Sequence, residues 1–406
     1  MIDFPYIKSI TRSTKSKIIM VVADGLGGMA NSTNPKSELE IANIPTLDKL
    51  SSMSSCGVTT PVLPGITPGS GPGHMALFGY NPIKYLLGRG VLEGLGIGAN
   101  IGSHDVAARG NFCITDANGI ITDRRAGRLT TKESKTLVEI LNTIEIPGFE
   151  IKVHPVMDYR FVLVLKGPNA SANITETDPQ VTGTSILESE GLTPSSTGTA
   201  LAVNLFTRNA NLLLSSQKGT ANSVILRGFS TIPHLPNFAE NYKLKPAAIA
   251  GYPMYRGVAG LLGMNILECG QTFTEELDML KKHYSTGDYD YFFVHYKPAD
   301  TAGEDGDFDG KVKALENFDS YLKEIVDLKP DVLVVCGDHS TPSLIGSHSW
   351  HEVPFLIHSE NSQGMGDEYG FSELNCKKNG SIGSIQAEQL MLLVLAHANK
   401  LNKFGP

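Results

Sequence analysis

Four apolar runs along the chain are continuous rather than alternating, and each stops at a polar residue: Ile18–Asp24, Tyr291–Lys297, Val332–His339 and Val353–His358. Unbroken apolarity over a strand's length marks a strand covered on both faces, as in α/β sheets. Between the runs lie stretches with helical spacing, Thr46–Ser54, Thr272–Tyr284, Phe308–Leu328 and Ile385–Leu401. The alternation of strand and helix predicts a mostly parallel sheet between two helical layers. Such sheets bind ligands beyond the carboxyl ends of their strands. The first three runs end in charged or metal-capable side chains, so the pattern points to that edge.

From about 106 to 228 the pattern changes. Shorter strand candidates appear (Asn111–Thr115, Ile120–Asp123, Glu150–His154, Phe161–Lys166 and Ser223–Leu226), separated by turn signals such as Ala117-Asn118-Gly119. A helix is expected over Ser196–Ser215. The expected organisation is a parallel-sheet domain with an α+β domain inserted into it. The Gly-rich segment 88–102 would be one of the crossings. At 406 residues the chain exceeds the roughly 250–300 that a single core supports.

Composition narrows the function classes. With 41% hydrophobic and 19% charged residues, the chain is neither disordered nor a coiled coil. A net charge of −8 lacks the basic surplus of a general nucleic-acid binder, so no nucleic-acid partner is expected. The longest apolar runs, Leu390–Ala396 and Ile18–Ala23, fall short of the roughly 20 residues of a membrane helix, so no membrane partner is expected either. Arg12, Lys15 and Lys17 ahead of Ile18–Ala23 superficially resemble a signal peptide, but Asp24 ends the run after six residues and the segment reads as a strand. Five widely spaced cysteines (Cys56, Cys113, Cys269, Cys336 and Cys376) fit free thiols in a reducing cytoplasm.

Four motifs carry chemistry. Asp24-Gly25-Leu26-Gly27-Gly28 puts a carboxylate at a strand end before glycines that let a cation or phosphate approach, although a plain turn reads the same way. Thr67-Pro68-Gly69-Ser70-Gly71-Pro72-Gly73-His74 sets a serine at the start of a helix, either as a nucleophile on a rigid turn or as the helix N-cap. Asp300, Glu304, Asp305 and Asp307 crowd behind the strand ending at Lys297; such carboxylates repel unless a cation neutralises them, and the plainer alternative is a solvated acidic loop with Asp307 capping the next helix. Asp338-His339 is followed by His348 and His351. Three of the chain's 11 histidines thus fall within thirteen positions, beside a carboxylate, a density that favours a Mn, Zn or Fe site over three core histidines. Together these candidates suffice for two cations, between which a hydroxyl is readily deprotonated.

These motifs, Asp24-Gly25, Ser70-Gly71-Pro72-Gly73-His74-Met75, Asp300-Thr301-Ala302-Gly303-Glu304 and Asp338-His339, resemble those of the alkaline phosphatase superfamily. Within it the chain resembles, over nearly its whole length, the archaeal-type 2,3-bisphosphoglycerate-independent phosphoglycerate mutases. The resemblance implies an alkaline-phosphatase-like three-layer α/β core made of 1–105 and 236–406, an inserted α+β lid over 106–235, and interconversion of 3-phosphoglycerate and 2-phosphoglycerate through a phosphoserine in a cytoplasmic glycolytic enzyme. It implies two divalent metals, Mn foremost with Zn, Mg or Co as alternatives. Ser70 would be the nucleophile. Asp24, Ser70, Asp338 and His339 would hold one metal; Asp300, Glu304 and His348, or His351 in its place, would hold the other. Arg125 and Arg128, with Arg109 and Arg227 behind them, would grip the anionic groups of a small phosphorylated three-carbon acid, and His74 would stand near Ser70. Glu304 departs from the family, where His is common at that position. The alternative readings are therefore a homoserine kinase, for which no G-x-x-x-x-G-K-[ST] loop is present, or a phosphatase.

Overall fold

The computed structural model describes residues 2–30, 35–217 and 221–405. It divides into two compact units, 1–86 together with 235–406, and 87–234. In chain order the strands begin with β1 (Ile18–Ala23) and β2 (Ser55–Thr60). The inserted unit then supplies β3 (Val106–Thr115), β4 (Ile121–Asp123), β5 (Glu150–Pro155), β6 (Arg160–Lys166) and β7 (Ser223–Ser230). The chain returns with β8 (Pro246–Ile249), β9 (Asn265–Ile266), β10 (Tyr291–Tyr296), β11 (Val332–Cys336), β12 (Val353–Ser359) and β13 (Gly383–Gln386).

The first unit is built on an eight-stranded sheet in the order β13-β2-β12-β11-β1-β10-β8-β9. All six residues of β1 are buried, as its unbroken apolarity predicts. Helices Phe273–Tyr284 and Phe308–Asp327 supply Leu277, Leu280, Leu315, Phe318 and Leu322 to the core cluster that also holds Val21, Phe292 and Val335. The first of them is fixed at its start by Thr272 and Glu275, each accepting from the other's backbone N–H. The sheet is parallel except at β12, which runs antiparallel to both β2 and β11. No helix forms over 337–352 to carry a crossover, so the chain simply turns back. A second departure concerns Ile385–Leu401, where one helix is expected. Ile385 instead lies in β13, paired in parallel with β2, and the helix spans only Leu390–His397.

The inserted unit is a five-stranded antiparallel sheet, β4-β3-β6-β5 with β7 on the other side of β3. Helices Thr131–Leu141 and Thr197–Ser215 bury Val138, Leu141, Val203, Phe206 and Ala210 with Phe112, Phe161 and Leu163. A helix at Arg89–Gly96 belongs to the same unit, which therefore starts ahead of the strand pattern at 106.

Candidate metal centre

The register of the central strands assembles the site. Val22 stands opposite His295 and Cys336, and Ala23 opposite Tyr296, so the residues after β1, β10 and β11 leave the sheet side by side. Those residues are Asp24, Lys297 and Gly337-Asp338-His339. Gly25 follows at φ +66, and a Cβ there would lie 2.8 Å from the Asp300 Cα and 2.7 Å from the Thr341 hydroxyl, so only glycine lets the three segments close up. Beneath them Lys311, fully buried on the Phe308–Asp327 helix, donates 2.8 Å hydrogen bonds to the carbonyls of Gly27 and Thr341.

Asp300 and Glu304 come from a short helix, Pro298–Glu304, rather than the loop that glycines and acids suggest. Pro298 at its start has no N–H to leave unsatisfied, and the four-residue spacing sets Asp300 and Glu304 on one face. Asp307 caps the next helix, accepting from the Gly310 N–H at 2.9 Å, in keeping with its plainer reading. Ser70 is the first residue of the helix Ser70–Leu77, with Gly69 as the cap, so the N-cap reading of Ser70 falls away. Its hydroxyl reaches His339 Nε2 at 3.1 Å instead.

His339 is the centre of the arrangement. The Thr341 hydroxyl donates to Asp300 Oδ1 at 2.7 Å, and a carboxylate can only accept. Thr341 Oγ1 therefore accepts from His339 Nδ1, 3.0 Å away, which leaves Nε2 without a proton. Around that Nε2 lie Ser70 Oγ at 3.1 Å, Asp338 Oδ2 at 3.1 Å and Asp24 Oδ1 at 3.3 Å. Both of these carboxylate oxygens are buried and accept no hydrogen bond. The Ser70 hydroxyl is the donor to that imidazole lone pair, but two anionic oxygens beside it have none, an arrangement that a cation satisfies. A second group, Asp300, His339 and His348, gathers its ligand atoms in the same way, with His348 Nε2 3.5 Å from Asp300 Oδ1 and 3.3 Å from Glu304 Oε1.

The electrostatics follow from this crowding. Burial alone would raise Asp24, but Lys297, His295 and His339 outweigh it and hold the carboxyl well below its usual range. Asp338 is also lowered: burial and Asp24 push it up, and His339 and His74 outweigh them. Burial lowers His339, keeping it the neutral imidazole that ligates metals. Asp300 is raised by burial and by Asp24. His348, despite burial, is carried up to about 9 by Glu304 and Asp300, and its hydrogen bond to Glu304 lowers that carboxyl in turn.

Three residues at this edge escape sequence reasoning as site members. Tyr255, His295 and Lys297 all donate to Asp24 Oδ2, the histidine and lysine at 3.1 Å, and the Tyr255 ring stacks on His295 at 3.5 Å. Tyr255 and His295 sit within apolar and aromatic stretches and read as core; the signals were a histidine inside the aromatic strand β10 and Lys297 at the end of that run. His74 is fully buried, with Nδ1 2.8 Å from the Ser70 carbonyl and 3.1 Å from Asp338 Oδ2, so it supports those residues from behind. His351 is not brought in: it bonds Ser349 and stacks on Trp350.

In the inserted unit, Asp123 accepts from the N–H groups of Arg125 and Gly127 at 2.7 Å each, shaping a turn in which Ala126, Gly127 and Arg128 all have positive φ. Arg125 and Arg128 are exposed and line a cavity of about 630 Å³ with Thr130, Thr131 and Tyr159. Arg124, unnoticed in the sequence, makes a two-pronged pair with buried Asp178 at 2.7 and 3.2 Å. Arg227 lies 3.7 Å from the same carboxylate, and Arg109 pairs with Glu93 at 3.2 Å. Burial pushes Arg109 down to about 10, with Arg89 and Arg227 opposing its charge further.

A mostly parallel α/β sheet with a serine, carboxylates and imidazoles at its carboxyl edge defines an α/β protein with a candidate two-cation centre. Residues 51–219 match the family model described as 2,3-bisphosphoglycerate-independent phosphoglycerate mutase. The chain is 47% identical over 403 residues to a probable 2,3-bisphosphoglycerate-independent phosphoglycerate mutase of Thermotoga maritima, covering 98% of each. Among solved structures it is similar to the PH0037 protein from Pyrococcus horikoshii (26% identical, TM-score 0.82, 98% and 100% coverage). It is also similar to the cofactor-independent phosphoglycerate mutase of Thermoplasma acidophilum (26% identical, TM-score 0.69, 94% and 100% coverage). The chain belongs to the family of 2,3-bisphosphoglycerate-independent phosphoglycerate mutases.

Proposed function

We propose that this chain interconverts 3-phosphoglycerate and 2-phosphoglycerate, with Ser70 carrying the phosphoryl group between them. The observation that carries the reading is the convergence of Ser70 Oγ, Asp24 Oδ1 and Asp338 Oδ2 on the unprotonated Nε2 of His339. Asp24, Asp338 and His339 with Ser70 are assigned to one cation, and Asp300, His348 and Glu304 to a second, with Mn the first choice for this mixed carboxylate and imidazole set. Bound there, divalent cations supply the positive charge that acidifies a serine hydroxyl and neutralises phosphoryl oxygens.

Ser70 Oγ gives up its proton and forms a bond to phosphorus as the bond from phosphorus to the substrate oxygen breaks; that oxygen takes up a proton, giving phosphoserine and glycerate. The other glycerate hydroxyl then takes the phosphoryl group back, and Ser70 regains its proton. Retention of the glycerate makes the outcome an isomerisation. Arg125 and Arg128, exposed and without side-chain partners among the described residues, are assigned to the substrate's phosphate and carboxylate, with Arg109 and Arg227 as further anion contacts. Five free cysteines support a reducing cytoplasm as the place of action. No helix of the described residues is long and apolar enough to cross a membrane.

The test is a coupled assay on metal-stripped, Mn-reloaded protein with 3-phosphoglycerate as the sole phosphate source and enolase reporting product. Product is expected without added 2,3-bisphosphoglycerate. Ser70→Ala is expected to lower kcat by about 10⁴-fold or more, with two Mn still bound per chain. Full activity in Ser70→Ala would overturn the nucleophile assignment. Release of inorganic phosphate in place of product would overturn the mutase reading.

A further inference from the structure

Thr341 belongs to no ligand set, yet one hydroxyl of its side chain touches a member of each. Its Oγ1 donates to Asp300 Oδ1 at 2.7 Å and accepts from His339 Nδ1 at 3.0 Å. The residue is fully buried, and its backbone is held as firmly as its side chain: the N–H donates to the Gly27 carbonyl at 3.0 Å, and the carbonyl accepts from Lys311 Nζ at 2.8 Å. Glycine at position 25 leaves room for the hydroxyl, since a Cβ there would come within 2.7 Å of it.

We propose that Thr341 is a positioning residue that sets the tautomer of His339 and, through the same hydroxyl, ties the orientation of Asp300 to it, so that both candidate cation sites depend on one side chain. The inference rests on the two-cation reading of the site. A hydroxyl has one proton to give. Spent on Asp300, that proton leaves Thr341 an acceptor, which places the imidazole proton on Nδ1 and the lone pair on Nε2, facing Ser70, Asp24 and Asp338. Without the hydroxyl nothing else at hydrogen-bond distance among the described residues fixes Nδ1, whereas Nε2 has two carboxylate oxygens beside it and gains by taking the proton itself. That tautomer closes the first site, and Asp300 loses the donor that holds its Oδ1 toward His348.

The experiment titrates the metal-stripped full chain with Mn²⁺ alone, comparing wild type, Thr341→Val and Thr341→Ser by calorimetry. Val matches the shape without the hydroxyl, and Ser restores it. The expected result is that Val weakens binding of both equivalents by about tenfold to a hundredfold, the usual cost of losing a ligand-orienting partner, while Ser stays within about threefold of wild type. Equal Mn²⁺ affinities in wild type and Val, or a loss confined to one equivalent, would overturn the proposal. A second readout is the ¹⁵N spectrum of His339 in the metal-free protein, assigned with His339→Gln. Wild type and Ser are expected to show the Nδ1–H tautomer, and Val a shift toward Nε2–H; an Nε2–H tautomer in wild type would overturn the proposal. A wild type that binds no Mn²⁺ would sink the two-cation reading, and the tautomer signature would then decide the role of Thr341 by itself.

Discussion

In the core unit the charged groups are buried and lean on one another, whereas Arg125 and Arg128 of the inserted unit stand in solvent. Asp24, Asp338 and His339 are almost wholly buried, and their geometry is fixed by hydrogen bonds from Tyr255, His295, Lys297 and Gly25 and by the one that His339 gives to Thr341. Arg125 and Arg128 are exposed, on a turn whose backbone rather than whose side chains is held by Asp123. A buried cluster of like charges is costly until a cation joins it, and repays that cost with precision. An exposed guanidinium costs little while waiting and is free to meet an anion. The same unit also holds arginines that are already paired, Arg124 and Arg227 with buried Asp178 and Arg109 with Glu93.

The contrast is broken most severely by chelation. Stripping the metals is expected to abolish turnover, restored by Mn²⁺, and to lower Tm, because saturating metal at a hundred times its Kd adds about 2.7 kcal/mol; inductively coupled plasma analysis and a thermal melt check both. Next comes Arg124→Ala. Removing one partner from a buried pair costs about 3 kcal/mol, so urea unfolding is expected to show a clearly weakened inserted unit, with Mn²⁺ affinity untouched. Arg125→Ala is a smaller change. It is expected to raise KM about tenfold, the lower end for a charged hydrogen bond, with unchanged Tm and metal content, and steady-state kinetics beside a melt separate it from Arg124→Ala.

The smallest effect sharpens the comparison from inside the core. Glu276, buried on the Phe273–Tyr284 helix, accepts from the Gly251 N–H just beyond β8, and burial pushes it up to about 8. A carboxyl raised on folding stabilises fully below its unfolded value of about 4.3, and that contribution is lost as pH rises to 8. Glu276→Gln is therefore expected to gain stability relative to wild type at pH 8 compared with pH 4, measured by urea midpoints. Asp24, buried as deeply but faced by Lys297 and two imidazoles, has the opposite shift.

The parts of the molecule that the sequence makes legible are those governed by strand periodicity. Asp24, Asp300 and Asp338-His339 announce themselves because each follows an apolar run, and parallel register does the rest. What escapes is set by tertiary contact. Ser70 as first helical residue rather than cap is decided by Gly69, which leaves the hydroxyl to cross to His339. The direction of β12 depends on a connection too irregular for a crossover, and Ile385 is drawn from a helical pattern into β13 by pairing with β2. Tyr255 and His295 touch Asp24 through polar tips on otherwise core-like rings, which no spacing rule separates from ordinary packing. His348 and His351 are both plausible by position; the fold turns one toward Asp300 and the other onto Trp350.

The place of β1 in the sheet sets a schedule for synthesis. Its neighbours are β10 and β11, so this wholly apolar strand leaves the ribosome roughly 270 positions before the first of its partners. At about 5–20 residues per second that is a wait of about 13 to 54 s. The 87–234 unit is complete in the meantime and can collapse on its own sheet, while Ile18–Ala23 stays an unpaired, aggregation-prone edge. β2 waits longer still, since its partners β12 and β13 lie about 300 positions on, so both strands need shielding until the chain returns to the first sheet.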